Sequence, residues 1–210
     1  MSTNVNMREF NRSDVAHIEE PPVARSLFGD VHWAWLWLVA RLAVGYEWIT
    51  AGWGKLNNPA WVGSDAGKAL GGFLQGALTK TGGAHPQVQG WYAVFLRDFV
   101  LPNARFWSYV VSIGEFLVGA ALILGMFVGI AAFFGLFMNM NYLLAGTVSI
   151  NPLLLLAAML LILAWRTAGW FGLDRWLLPA LGTPWSPGYV FHINHGHSHK
   201  GHGTVSAKGR

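Results

Sequence analysis

The sequence predicts an all-α integral membrane protein, an antiparallel bundle of four transmembrane helices with a long insert between the first two. Composition gives the first reason. Hydrophobic residues make up 53% of the 210 residues and charged residues only 11%, whereas soluble domains carry about 25% charged residues. Patterning gives the second, because the apolar residues gather in four long segments separated by polar or glycine-rich stretches.

Charge and cysteine usage exclude several classes of function. The net charge of +4 comes from scattered basic residues, so no nucleic-acid partner is expected. The chain has no cysteine, which excludes disulfides, a thiol redox centre and Cys-ligated haem or iron–sulfur groups. Neither haem nor an iron–sulfur centre is therefore expected on this chain, and any redox chemistry needs a dissociable carrier or another subunit.

Residues 1–30 are predicted to form a polar N-terminal tail. This stretch has little apolar periodicity and carries most of the N-terminal charges, Arg8, Arg12, Glu19, Glu20 and Arg25. It contains no small-residue cleavage pattern, so it is not expected to be a secretory signal peptide.

The first transmembrane span is predicted at about residues 31–53. As a helix this segment spans roughly 30 Å. Arg41 and Glu47 are the charged residues within its apolar sequence. Tryptophans mark both ends, as interfacial anchors do: Trp33, Trp35, Trp37 and Trp53. The alternative is the buried helix of a soluble protein, which the later apolar segments disfavour.

A glycine-rich insert covers residues 55–103. Within it, residues 87–100 are amphipathic, since four apolar side chains can share one helical face: Trp91, Val94, Phe95 and Phe99. The pattern predicts an interfacial helix on the bilayer surface. A lid over a site fits the same pattern.

Three more spans are predicted at about 106–126, 127–146 and 150–166, which completes a transmembrane domain at 31–178. The tight connections favour antiparallel neighbours, and four spans place both termini on one side of the membrane. Basic residues flank both faces, so positive-inside counting does not decide which side that is.

Residues 179–210 form a His-rich C-terminal tail with five histidines within eleven residues. His195, His197 and His199 are weak candidates for metal ligands, because such runs bind divalent metals adventitiously. A true site needs fixed geometry, which a Gly/Ser-rich tail does not supply. A solvated tail is the favoured interpretation, and no dedicated metal site is predicted.

Ionisable and amide side chains on different spans are predicted to lie at similar depth. At 1.5 Å per residue, Arg41 lies roughly 12–15 Å deep, Glu115 about 16 Å, and Asn139, Asn141 and Glu47 between about 18 and 24 Å. An ionisable group in a bilayer normally faces the protein interior and has a partner. The sequence therefore predicts a buried Arg41–Glu115 ion pair, with Glu47, Asn139 and Tyr142 extending the network.

Two interpretations of that network stay open. It can serve only to hold the helices together, since buried ion pairs also occur with a purely structural role. Alternatively, a carboxylate in low dielectric exchanges protons readily, which suits a site where quinone is reduced or oxidised. Asn139 or Asn141 would then bind a quinone carbonyl. Lys55 would attract an anionic substrate or snorkel to the interface.

Short motifs along residues 35–178 resemble the DoxX/DoxD family of small four-span membrane proteins. They are Arg41-Leu-Ala-Val-Gly, Ala51-Gly-Trp-Gly-Lys-Leu, Glu115-Phe-Leu-Val-Gly-Ala-Ala-Leu-Ile-Leu-Gly, Asn151-Pro and Gly172-Leu-Asp. Residues at the family-like positions are Arg41, Gly52, Lys55, Glu115 and Asp174.

The resemblance implies a membrane subunit of the thiosulfate:quinone oxidoreductase type. Expected partners are the lipid bilayer, other protein subunits and quinone, a dissociable cofactor. The expected location is the plasma membrane of a prokaryote, with cytoplasmic termini. The candidate catalytic residues are Glu115, Glu47 and Arg41, and the candidate quinone or substrate ligands are Lys55, Asn139 and Tyr142.

Other classes of function remain open beside the catalytic one. The chain can be a non-catalytic structural or accessory subunit of a larger respiratory or photosynthetic complex. A weaker alternative is a small-solute or metal transporter that uses the histidine-rich tail.

Overall fold

Helices account for nearly all regular structure in the computed structural model, which describes residues 20–182. No strand occurs in that range. The helices are α1 (Pro22–Gly29), α2 (Ala34–Leu56), α3 (Lys68–Leu78), α4 (Gly90–Phe95), α5 (Ala104–Leu124), α6 (Val128–Leu144), α7 (Asn151–Leu163), α8 (Trp165–Ala168) and α9 (Asp174–Leu181). The predicted all-α class is confirmed. The metal candidates His195, His197 and His199 lie outside the described residues.

Helices α2, α5, α6 and α7 lie where the four spans are predicted, and their lengths are 23, 21, 17 and 13 residues. By length and composition, one described helical segment, Gly90–Leu124, can cross a bilayer. The pair Pro22–Gly29 and Val31–Leu56, bent by 57°, makes a second if it counts as one span. Since α6 and α7 are apolar but shorter, the four-span bundle stays a prediction.

The last part of the predicted N-terminal tail is helical and packed. Pro22 opens α1, where its fixed φ suits a first helical position. Trp37 Nε1 donates to the Leu27 carbonyl oxygen at 2.9 Å, and Thr167 Oγ1 donates to that of Phe28 at 3.0 Å. These bonds tie α1 to α2 and α8.

The long insert builds an apolar cluster of its own beside the bundle. Its buried members come from α3, the α4 segment and the end of α6: Leu70, Leu74, Ala77, Val88, Tyr92, Leu96, Val100 and Ala145. The helical path from α4 runs into α5 through a π-helical turn at Leu96–Val100 and a 3-10 turn at Leu101–Asn103. Pro102 explains the irregular turns, because it lacks an N–H and its ring crowds the preceding turn.

Glycines bring α2 and α5 into close contact. A Cβ at Gly52 would overlap the backbone nitrogen of Phe116, and one at Gly119 would overlap that of Ile49. Small residues of this kind let membrane helices approach backbone to backbone. This contact fixes the position of α2 relative to α5, and with it the charged side chains that flank the glycines.

Candidate functional site

Lys55, Glu115 and Tyr142 meet in a hydrogen-bonded cluster between α2, α5 and α6. Lys55 Nζ lies 2.5 Å from Glu115 Oε2, and the Tyr142 hydroxyl donates to Glu115 Oε1 at 2.5 Å. The Glu115 side chain is 2% exposed and that of Lys55 is 20% exposed. Both carboxylate oxygens therefore have a donor, and the ammonium keeps a path to the surface.

Packing holds each member of this cluster in place. Lys55 lies on the turn after Gly52, so the glycine contact with Phe116 brings its ammonium beside Glu115. The ammonium also lies 5.1 Å from the ring centroid of Trp61, within the range of a cation–π contact. The Tyr142 ring stacks on Trp48 at 6.4 Å between centroids. Neighbouring serines on α5 bind backbone carbonyls instead of Glu115.

The predicted Arg41–Glu115 ion pair is wrong. The Arg41 guanidinium is buried and donates to the carbonyl oxygens of Leu122, Ile123 and Phe171 at 2.5, 2.8 and 2.9 Å. These are carbonyls at the C-terminal end of α5 and in the loop before α9, and a cation there also complements the helix dipole. Lys55 is the counter-ion of Glu115.

Asp174 lies on the other side of the α5–α6 turn from the carbonyls that Arg41 binds. Its carboxylate accepts hydrogen bonds from the backbone nitrogens of Phe127 and Val128 at 2.6 and 2.9 Å, which are the N-cap and the first residue of α6. Burial raises the pKa of Asp174, while these N–H groups and Arg41 act in the opposite direction. Arg41 and Asp174 thus hold the turn from both sides.

Two other candidates do not join the cluster. Glu47 is exposed on α2, and its carboxylate has no hydrogen-bond or ion-pair partner among residues 20–182. Asn139 is buried, but its amide nitrogen donates to the carbonyl oxygen of Asn151 at 2.8 Å and its Oδ1 has no partner in that range. The predicted extension of the network to Glu47 and Asn139 is wrong, and the extension to Tyr142 is confirmed.

An apolar cleft of about 550 Å³ lies beside the cluster, between the insert, α5 and α6. Tyr142 and Gly114 belong to its wall, and so do Phe73 and Trp107. Its rim carries Leu117, Phe134 and Phe137, each more than half exposed. The cleft therefore opens sideways from the bundle, and its size falls within the range of about 300–1,000 Å³ found for ligand pockets.

Polar groups are few in the cleft, and the sequence did not predict the hydrogen bond that joins two of them. The Tyr92 hydroxyl donates to Asn141 Oδ1 at 3.0 Å and to the Asn141 carbonyl oxygen at 3.1 Å, and both residues line the cleft. Asn141, not Asn139, is thus the amide at this surface. Asn141 is one of the two alternatives that the sequence offers for a quinone ligand, whereas the hydrogen bond from Tyr92 to Asn141 was not predicted.

The described part of the chain contains no group of three or more His, Asp or Glu residues arranged to hold a metal ion. Comparisons with curated proteins and with solved structures find no match for the chain. A sequence model of the DoxX family matches residues 36–148. This range covers more than half of the chain and contains Arg41, Gly52, Lys55, Glu115 and Tyr142. The chain is a membrane protein of the DoxX family.

Proposed function

We propose that this chain is the quinone-binding membrane subunit of a quinone-linked oxidoreductase. One observation carries the proposal: Tyr142 lines the apolar cleft and donates a hydrogen bond to the buried carboxylate of Glu115. A proton-carrying pair therefore borders a cavity suited to an apolar ligand. Glu115, Tyr142 and Lys55 are the functional residues in this proposal.

The cleft suits a quinone in shape and polarity. Its wall is almost entirely apolar, and its exposed rim of Leu117, Phe134 and Phe137 faces the lipid if α5 and α6 span the bilayer. A lipid-soluble ligand can then enter sideways with its tail left among the acyl chains. Asn141 offers a donor at the wall for a ring carbonyl: its amide nitrogen donates to the Phe137 carbonyl oxygen at 2.8 Å and has a second N–H, while the Tyr92 hydroxyl holds the amide oxygen.

A quinone takes up two electrons and two protons when it becomes a quinol. Tyr142 donates to Glu115 in the resting cluster. In the proposed step Glu115 first takes up a proton from the water side, past Lys55. The Tyr142 hydroxyl then turns toward the cleft, gives its proton to the reduced quinone and recovers the proton held by Glu115. Lys55 stabilises the carboxylate that remains, and its 20% exposure gives the pair a route to water. Its charge is already balanced by Glu115, so capture of an anionic substrate is not its role here. Arg41 acts as a positioning residue, because its bonds hold the end of α5.

The electrons have to come from a partner. This chain has no cysteine for a thiol or an iron–sulfur centre, and the family resemblance suggests thiosulfate as the donor, oxidised outside the membrane by another subunit. Two thiosulfate ions release one electron each when they couple through a sulfur–sulfur bond, which balances the two electrons of one quinone. A plasma-membrane location and a four-span bundle belong to the same proposal.

Binding can be tested apart from turnover. Gly114→Leu places a side chain in the cleft. A Cβ added at Gly114 would lie 3.4 Å from Met138 Sδ, so the rest of a leucine side chain has to take up space there. Gly76→Leu is the matched control, since Gly76 is an exposed helical glycine with open space around it. Quenching of tryptophan fluorescence by decylubiquinone in nanodiscs is expected for the native chain and the control, and at least tenfold weaker for Gly114→Leu. Equal quenching in all three would refute the site.

Turnover is tested with Glu115→Gln in membranes that contain the partner subunits. The expected result is loss of thiosulfate-dependent quinone reduction per assembled complex, with quinone binding per assembled complex unchanged. The amide keeps the shape of the side chain but cannot pass a proton as a carboxyl group does.

A structural role is the competing proposal, and one observation favours it: both oxygens of Glu115 already have partners, as expected of a buried pair that staples helices. Under that role the chain is an accessory subunit of a larger complex. Glu115→Gln would then lower the amount of assembled protein and leave the activity per assembled complex unchanged.

A further inference from the structure

An unpaired carboxylate lies on the outer face of α2, the face that does not pack on the rest of the described chain. Glu47 follows Ala34, the first residue of α2, by 13 positions in a helix of 23 residues, so it lies in the middle third. It is exposed, and no residue of the described chain bonds to its carboxylate. A carboxylate in this position faces hydrocarbon if α2 spans the membrane, and the bilayer makes that unfavourable by roughly 2.5–3.5 kcal/mol.

The residues around Glu47 form a narrow seam of small side chains. Ala43, Glu47, Thr50 and Gly54 are all exposed and follow one another at steps of four, three and four. This spacing places them on one stripe of the kind that packs against a second helix in a left-handed pair. A Cβ at Gly54 would meet no atom within 4 Å, so packing within the chain does not explain the glycine.

We propose that α2 is the contact between two copies of this chain, and that Glu47 hydrogen-bonds across it. A twofold axis along the membrane normal brings equal positions of the two helices together. Glu47 then meets Glu47 and Thr50 of the second copy, with one proton shared between the two carboxyl groups. The Thr50 hydroxyl donates to the Tyr46 carbonyl oxygen of its own helix at 2.8 Å and keeps lone pairs that can accept from a protonated carboxyl group. The seam is therefore complementary to itself.

The other charges of α2 already have partners within the chain and do not reach Glu47. Arg41 lies about 120° from Glu47 around the helix and is buried among backbone carbonyls. Lys55 is paired with Glu115. A different protein would have to bring its own polar group and its own seam of small residues, whereas a second copy supplies both. The contact is independent of quinone binding, because the cleft lies between the insert, α5 and α6.

Disulfide crosslinking tests this contact in the full chain, which has no natural cysteine. Thr50→Cys is expected to give a disulfide-linked dimer of two 23.0 kDa chains in oxidised native membranes. Gly76→Cys, at an exposed helical glycine of the insert, is the control and is expected to stay monomeric. Crosslinking at Thr50→Cys no greater than in the control, or only to a different protein, would overturn the proposal.

Fluorescence transfer between labelled copies in liposomes, at fixed protein-to-lipid ratio, measures the strength of the contact. Glu47→Gln keeps a donor and an acceptor and is expected to retain dimerisation. Glu47→Leu is expected to weaken it between about threefold and about thirtyfold, the range of one polar contact between membrane helices. Gly54→Leu is expected to abolish the transfer by steric exclusion, and Gly76→Leu to leave it unchanged. Equal transfer in Glu47→Leu and Gly54→Leu relative to the native chain would refute the contact.

Discussion

Lys55→Met gives the sharpest test of how the central cluster is held together. The change removes the ammonium from Glu115 and leaves that side chain, 2% exposed, with Tyr142 as its donor. Breaking a buried ion pair costs about 3–5 kcal/mol, because one charge is stranded. Since Lys55 is 20% exposed, we expect the lower end, about 3 kcal/mol. At roughly 2–4 °C per kcal/mol for a chain of this size, Tm falls by about 6–12 °C.

Removing the carboxylate instead of the ammonium is expected to lower the free energy of unfolding by less. Glu115→Gln strands the ammonium of Lys55, which can turn toward water on its flexible stem, so the expected loss is about 1–2 kcal/mol, toward the lower end of the range for a group left without its partner. Combining both changes removes both charges, and the double variant is expected to be more stable than Lys55→Met alone. Unfolding of the four proteins in one detergent measures this cycle. Losses that add to within about 0.5 kcal/mol would show that the two residues are not coupled and refute the reasoning.

Three further changes test the surroundings of the cluster. Tyr142→Phe removes one donor to Glu115 and is expected to lower the free energy of unfolding by about 1–3 kcal/mol, measured by the same detergent unfolding; no change would mean that water replaces the hydroxyl. Gly52→Ala is expected to destabilise by more than about 2 kcal/mol because its Cβ overlaps Phe116, whereas Gly76→Ala, with open space, is expected to be neutral or stabilising by up to about 1 kcal/mol. Asp174→Ala removes the acceptor for the first N–H groups of α6 and is expected to cost about 1–2 kcal/mol, and protection of those amides from hydrogen exchange is expected to fall; unchanged protection would contradict its capping role.

Apolar patterning was enough to predict the all-α class and the positions of α2, α5, α6 and α7. The depth of each charge along its span did not predict the pairing. That calculation assumes that every helix axis is perpendicular to the membrane and that all the helices begin at the same height. The crossing at Gly52 and Phe116 sets the contact instead, and it places Lys55, not Arg41, beside Glu115. Those glycines were visible in the sequence, and they are the signal that predicts the correct pair.

The partner of Arg41 escaped prediction for a different reason. It binds the backbone carbonyls of Leu122, Ile123 and Phe171, and backbone acceptors exist at every residue, so no side-chain pattern marks them. The shape of the cleft was not predicted, because its walls come from the insert as well as from α5 and α6. The amphipathic pattern of residues 87–100 left a lid over a site as one alternative, but the long-range packing of the insert decides where that stretch lies.

The charged residues at the family-like positions divide into two groups with separate tasks. Arg41 and Asp174 bind backbone groups on either side of the α5–α6 turn, where their substitution would disturb the bundle itself. Lys55 and Glu115 bind each other and Tyr142 beside the cleft, where one oxygen of the carboxylate faces a residue that lines the cavity. A purely structural role for the ion pair does not explain the cavity beside it. A cavity that only holds lipid does not explain the buried carboxylate at its wall. The coincidence of the two at Tyr142 is therefore the reason to look for proton transfer at this residue first.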